Sequence, residues 1–180
     1  MIRLLTTSLL ALTLMLGACR AKSAAPAPTA LTDANIAAIV VQANNTDIQY
    51  ADLALAKSRN TAVREFAQMT KRDHESVNEA AVALVTRLGV TPVENTISLD
   101  MRDDAETKRL TLRDFEGFAF DSAYAANEAT YHASLLNAID TVLIPGAQNA
   151  ELRALIVAVR PAVAAHLTHA RQLSASLKRR

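Results

Sequence analysis

The chain has 180 residues, 18 acidic and 19 basic side chains and a formal net charge of +1, which is the length of one domain with a sizeable core. Its charges are interspersed and its one basic cluster is the terminal Lys178-Arg179-Arg180, so it offers no basic face for nucleic acid. With 4 glycines, 5 prolines and 4% aromatic residues against abundant Ala and Leu, the composition predicts an all-α protein.

The first stretch is not expected to belong to the fold. Arg3 is a short positive region, Leu4 to Leu16 an apolar run, and Leu16-Gly17-Ala18-Cys19 a small-residue cleavage site, so residues 1–18 read as a signal peptide. The apolar run is shorter than the roughly 20 residues that span a bilayer. Leu-Gly-Ala-Cys resembles the lipobox of bacterial lipoprotein precursors, whose cysteine becomes the acylated first residue. That resemblance implies lipidation of Cys19, with the membrane as partner through the lipid anchor; no protein partner is legible. Cys19 is the only cysteine, so no internal disulfide can form. Arg20 follows it, not the Asp associated with inner-membrane retention, which favours the periplasmic side of the outer membrane in a Gram-negative host. Residues 19–31, with Pro26 and Pro28 among alanines, read as a tether carrying a folded domain over 32–178.

Within that domain, helices are predicted near 33–58, 62–88, 116–143 and 149–177. The first carries Ile36, Val40, Ala43, Asp47, Tyr50 and Ala54 at alternating steps of four and three, which draws one stripe along one face. Ser58-Arg59-Asn60 is short enough to make an antiparallel hairpin with the second helix. That helix has Thr61 as its expected N-cap and Gly89 as its stop, with Val63, Ala67, Thr70, His74, Val77, Ala81, Leu84 and Leu88 in its stripe. Thr91-Pro92 then opens a charged link of some 25 residues, in which Ser98 is the expected cap of a short, mostly exposed helix. Such a link is long enough to cross a bundle lengthwise, so the fold class expected is a ferritin-like four-helix bundle with a long crossover between helices 2 and 3. The third helix carries Phe118, Asp121, Ala125, Glu128, His132, Leu135, Ile139 and Val142 and stops at Pro145-Gly146. The fourth carries Leu152, Ile156, Val159, Val163, His166, Ala170, Leu173 and Leu177, with Pro161 predicting a kink or a break.

Each helix therefore brings at least one ionisable residue onto its apolar stripe. With a rise of about 1.5 Å per residue and a lengthwise crossover, Asp47, His74, Glu128 and His166 all fall about 17 to 18 Å from one end of the bundle, with His132 one turn further along.

Asp47-Ile48 and Leu53-Ala54 in helix 1, Phe66-Ala67 and Asp73-His74 in helix 2, Phe120-Asp121, Tyr124 and His132 in helix 3, and Pro161 with His166-Leu167 in helix 4 give the chain a further likeness. Over roughly residues 32 to 176 it resembles the bacterial family called Domain of Unknown Function 4142, placed among ferritin-like bundles. The resemblance implies a fold and a cellular location rather than a reaction. In the family the helix 1 carboxylate is usually Glu followed four residues on by Gly; here those positions hold Asp47 and Ala51.

Two functions fit these residues. Asp47, His74, Glu128, His132 and His166 are candidate ligands for one transition-metal ion, since imidazole and carboxylate donors on facing helices suit zinc, iron, copper or manganese. A ferritin-type di-iron centre is not expected, because Glu-x-x-His is required on two helices, and the residues three before His74 and His166 are Lys71 and Val163. Alternatively the five form a buried hydrogen-bonded network that fixes helix register in a structural or interaction lipoprotein. No nucleophile elbow, phosphate-binding glycine loop or HExxH motif is present.

Overall fold

The computed structural model describes residues 30–178, and these are all-α, with no strand among them. The signal sequence, Cys19 and nearly all of the tether lie outside the described residues, as do Arg179 and Arg180. No described helix is long and apolar enough to cross a membrane.

Helix α1 spans Asp33–Lys57 and opens on a capping box in which Thr32 and Asn35 satisfy each other's backbone N–H groups. Helix α2, Thr61–Leu88, is capped by Asn60, whose Oδ1 accepts from the Ala62 and Val63 amides; Thr61 is the first helical residue and not the cap. Asn wins because its carbonyl reaches two orphan donors from the extended backbone at position 60. Gly89 ends α2 at φ 64°, the left-handed conformation that a side chain makes unfavourable. Helix α3, Thr96–Arg113, fills the charged link. Its cap is Asn95, with Ser98 closing the capping box from the third position, so the predicted cap residue plays the reciprocal part. Helix α4 spans Gly117–Ala138 and passes into a π-helical turn at Ile139–Leu143 and a short α5, Ile144–Gly146. Helix α6, Ala150–Leu177, is capped by Asn149 and runs unbroken through Pro161.

Hydrogen bonds at the helix ends fix the direction of each element. At one end, both carboxylate oxygens of Asp33 accept from the Gln148 and Asn149 amides (2.8 and 2.9 Å), and the Asn95 side chain bonds the Asn35 carbonyl. The starts of α1, α3 and α6 therefore meet there. At the other end, the Ser58 hydroxyl donates to Asp121 (2.5 Å) and the Lys57 ammonium bonds the Arg113 carbonyl and Glu116, which joins the end of α1 to the start of α4 and the end of α3. Helix α1 packs chiefly on α2, α4 on α6, α2 also on α6 and α1 also on α4, with α3 laid along α1. Every neighbour in that ring of four runs antiparallel.

The stripes read from sequence are the inward faces, with Val77, Leu88, Val142 and Val159 half-buried at their margins and one residue fully out of line. Phe118 is 54% exposed: it lies in the first turn of α4, beyond the last core layer, and Phe120 and Tyr124 fill the position below it. The core has two apolar parts. Tyr50, Ala54, Phe66, Phe120, Tyr124 and Leu173 belong to one, and Ile36, Val40, Leu84, Ile139, Leu152 and Ile156 to the other. Asp47, His74, Glu128, His132 and His166 lie between the two, whereas Asp121 sits at the end of the bundle against Ser58.

Asp33 ties two helix starts together through charge-assisted bonds, so Asp33→Ala should lower stability by about 1 to 2 kcal/mol, while Asp100→Ala on exposed α3 surface should stay within about 0.5 kcal/mol. Urea unfolding of both variants checks this.

Candidate metal centre

Asp47 is brought inward by α1, His74 by α2, Glu128 and His132 by α4, and His166 by α6; all five are buried, with Asp47, Glu128 and His132 at 0% exposure. The three imidazole rings lie tilted or edge-on to one another, with centroids 5.2 to 5.8 Å apart. One ligand atom from each of His74, His132 and His166 lies within 4.8 Å of the others, and the same holds for Asp47, Glu128 and His132. His132 belongs to both groups and joins them. Individual approaches are His74 Nε2 to Asp47 Oδ2 at 3.3 Å, His132 Nε2 to Asp47 Oδ1 at 4.0 Å and His132 Nδ1 to Glu128 Oε2 at 3.4 Å.

Each imidazole has one nitrogen engaged by an acceptor other than the cluster's own side chains. The Asn44 amide nitrogen donates to the Val40 carbonyl (3.0 Å), which turns its oxygen toward His74, and His74 Nδ1–H donates to it at 2.7 Å. His132 Nδ1–H donates to the Glu128 backbone carbonyl at 3.0 Å, one turn back on its own helix. His166 Nε2–H donates to Asp73 Oδ2 at 2.8 Å. In all three cases the acceptor sets the tautomer and leaves the other nitrogen as a lone pair aimed into the cluster.

Those inner atoms meet no donor among the described residues: His74 Nε2, His132 Nε2, His166 Nδ1, both oxygens of Asp47 and both of Glu128 are buried and unpaired, save that Asp47 and Glu128 share a side-chain hydrogen bond when a proton lies between them. The 3.3 Å approach of His74 to Asp47 is close, yet misaligned for a hydrogen bond. Unpaired buried polar groups cost about 1 to 3 kcal/mol each, so such a concentration calls for a compensating partner.

Burial also sets the charge of the cluster. It lifts Glu128 to about 8, and lifts Asp47 well above the carboxylate range with reinforcement from the Glu128 charge beside it. It drives His74 down to about 3, helped by the neighbouring His132 and His166, and lowers His166 against the pull of Asp73. Uncharged forms are thus favoured until a cation enters, whereupon both carboxylates can ionise against it.

Asn44 and Asp73 were not foreseen as partners. Asn44 lies one turn before Asp47 beside the stripe, a signal too common to single out, and Asp73 stands in the Asp73-His74 motif of the resemblance without its role as the His166 acceptor being legible. His169, exposed on α6, packs its ring 5.1 Å from Phe66 and stays out of the cluster.

Comparison with known proteins gives one match: the model of the family described as "Domain of unknown function (DUF4142)" covers residues 18–173. No curated protein and no solved structure matches the chain.

The shifts predict how the chelator-treated protein responds to pH. Glu128 holds a proton in the folded state that the unfolded chain loses near pH 4.3, so stability should fall as pH rises from about 4.3 to about 8. His74 is neutral in the folded state where the unfolded chain takes a proton, so stability should also fall as pH drops from about 6.5 toward about 3. Urea unfolding in EDTA should therefore show a maximum in mild acid, and Glu128→Gln should flatten the alkaline side. An alkaline side identical in both proteins contradicts the assignment.

Proposed function

The chain belongs to the DUF4142 family, and from that premise we propose that it is a lipid-anchored envelope protein whose helical domain holds one divalent first-row transition-metal ion. The observation that carries the metal reading is the set of three imidazole lone pairs, their tautomers set by Asn44, Asp73 and the Glu128 carbonyl, converging with two unpaired carboxylates. Neutral imidazoles and two carboxylates carry a charge of −2, which one divalent ion neutralises. The mixture of nitrogen and oxygen donors suits zinc, iron, copper or manganese rather than calcium, whose sites are built from oxygen alone.

The finer fold belongs to the same reading. A ring of antiparallel neighbours, with α3 running lengthwise between α2 and α4, fits a ferritin-like four-helix bundle with a crossover. Such bundles form metal sites from side chains on facing helices. Lipidation of Cys19, which lies outside the described residues, supports anchoring to the periplasmic face of the outer membrane in a Gram-negative host, with residues 19–31 as tether.

A second reading has one observation in its favour. If Asp47 is protonated, its 3.3 Å approach to His74 tightens into a hydrogen bond, and the cluster serves only to set helix register in a structural or interaction lipoprotein.

Calorimetric titration of chelator-stripped protein with Zn(II), Mn(II) and Fe(II), together with elemental analysis, separates the two. We expect one ion per chain, a rise in melting temperature on loading, and loss of stoichiometric binding in His132→Ala. Asn44→Leu, which frees the His74 tautomer without removing a ligand, should weaken affinity about 10- to 100-fold. Absence of uptake for every ion, with the same melting temperature with and without EDTA, would establish the structural reading instead. Cys19→Ser should move the protein from the membrane to the soluble fraction; unchanged fractionation removes the anchor.

A further inference from the structure

We propose that the centre is served by a dry chamber in the core that admits a small uncharged molecule of two or three heavy atoms, of the chemical class of dioxygen or nitric oxide. Its role rests on the metal reading above; its existence rests on the cavity alone. The chamber has a volume of about 40 Å³ and lies among α1, α2, α4 with its π turn, and α6. Val40, Leu135, Ile139, Ile156 and Val163 wall it, and the imidazoles of His74 and His166, two of the three histidines of the cluster, line it as well.

Its contents follow from chemistry and size. A buried water needs two to four polar partners. Of the polar lining groups, the Asn44 amide is held between Val40 and His74 and the Asp73 carboxylate by His166; the unpaired His74 Nε2 and His166 Nδ1 belong to the cluster, and the surface the walls present to the chamber is almost wholly apolar. An apolar cavity without free partners stays dry and takes apolar guests such as xenon. One water-sized sphere needs about 10 to 15 Å³ by the same measure, so this space suits a molecule of a few atoms and excludes a metabolite.

Both long walls are irregular at this level. The π turn at Ile139–Leu143 contributes two lining residues, and it replaces regular helix with a wider turn of the kind common at functional sites. In α6 the exposed Pro161 has no N–H for the Val157 carbonyl, although the helix runs on through it. Of the lining residues Asp73 and Ala162 are exposed and Val77 and Val159 half-buried, so the chamber opens along the seam between α2 and α6.

Xenon and nitric oxide test the chamber separately from the metal. In chelator-stripped protein, xenon pressure should shift the methyl resonances of Val40, Ile139, Ile156 and Val163. Val163→Phe, which fills the chamber, should abolish those shifts, and Ala43→Val gives a milder filling should the first variant not fold. In Fe(II)-loaded protein, nitric oxide should produce a ferrous-nitrosyl electron paramagnetic resonance signal, and the filling variants should weaken its binding at least tenfold at unchanged iron content. Absent xenon shifts in the wild type, or nitric oxide binding indifferent to filling, overturns the proposal. Failure to take up iron or any other ion overturns the metal reading, and the gas-docking role falls with it, whereas xenon shifts in that case still locate a dry cavity.

Discussion

Five ionisable side chains buried at one level of an otherwise apolar core constrain everything else in this domain. Isolated charges in such surroundings cost many kcal/mol, so they are tolerated only as neutral forms, as paired groups or around a cation. Apolar layers above and below enclose them: Phe66, Phe120 and Tyr124 on one side, Ile36, Ile139 and Ile156 on the other. Any slip of one helix by a turn would lift an imidazole or carboxylate out of the layer and drive it into a hydrocarbon one. The polar layer thus specifies register in the way a buried Asn does in a coiled coil, whatever else it binds.

Orientation inside the layer comes from outside it. Asn44 is itself held by the Val40 carbonyl before it accepts from His74, so a two-step chain from the backbone of α1 decides which nitrogen on α2 is free. His132 uses its own helix, through the Glu128 carbonyl. His166 uses Asp73 from the neighbouring helix, on the less buried side of the cluster. A histidine held in this way loses the freedom to exchange tautomers, and three of them present their basic nitrogens to one small volume. Preorganised donors of this kind are what a metal ion selects, and they are poor hydrogen-bonding company for one another.

Connectivity is what lets four helices meet at that volume. The three-residue turn after α1 forces α2 to return alongside it, while α3 carries the chain back along α1 so that α4 starts at the end where α1 finishes. Capping residues mark nearly every junction: Thr32, Asn60, Asn95 and Asn149 each satisfy orphan amides at a helix start, and Gly89 closes α2. The π turn departs from that regularity beside the cluster, where Ile139 and Leu143 line the chamber.

Much of this was legible in the sequence, because hydrophobic periodicity is a local property. Steps of four and three placed Asp47, His74, Glu128, His132 and His166 on inward faces, and a rise per residue placed all but His132 at matching heights, with His132 one turn further along. All-α composition and the short Ser58–Asn60 turn needed no long-range knowledge either. Caps were less secure: Thr61 and Ser98 are good cap residues by type, but Asn60 and Asn95 reach two amides each from the backbone angles the turns impose. Phe118 continued the stripe and yet lies exposed, since periodicity cannot tell where the last core layer ends. Tautomers and cavity were beyond the sequence altogether. Which imidazole nitrogen is free depends on acceptors that in two cases come from a different helix, Asn44 on α1 for His74 and Asp73 on α2 for His166, and the space beneath them depends on how four helices fail to close. Those are properties of side chains distant in the chain and adjacent only after folding, and the tertiary structure alone decided them.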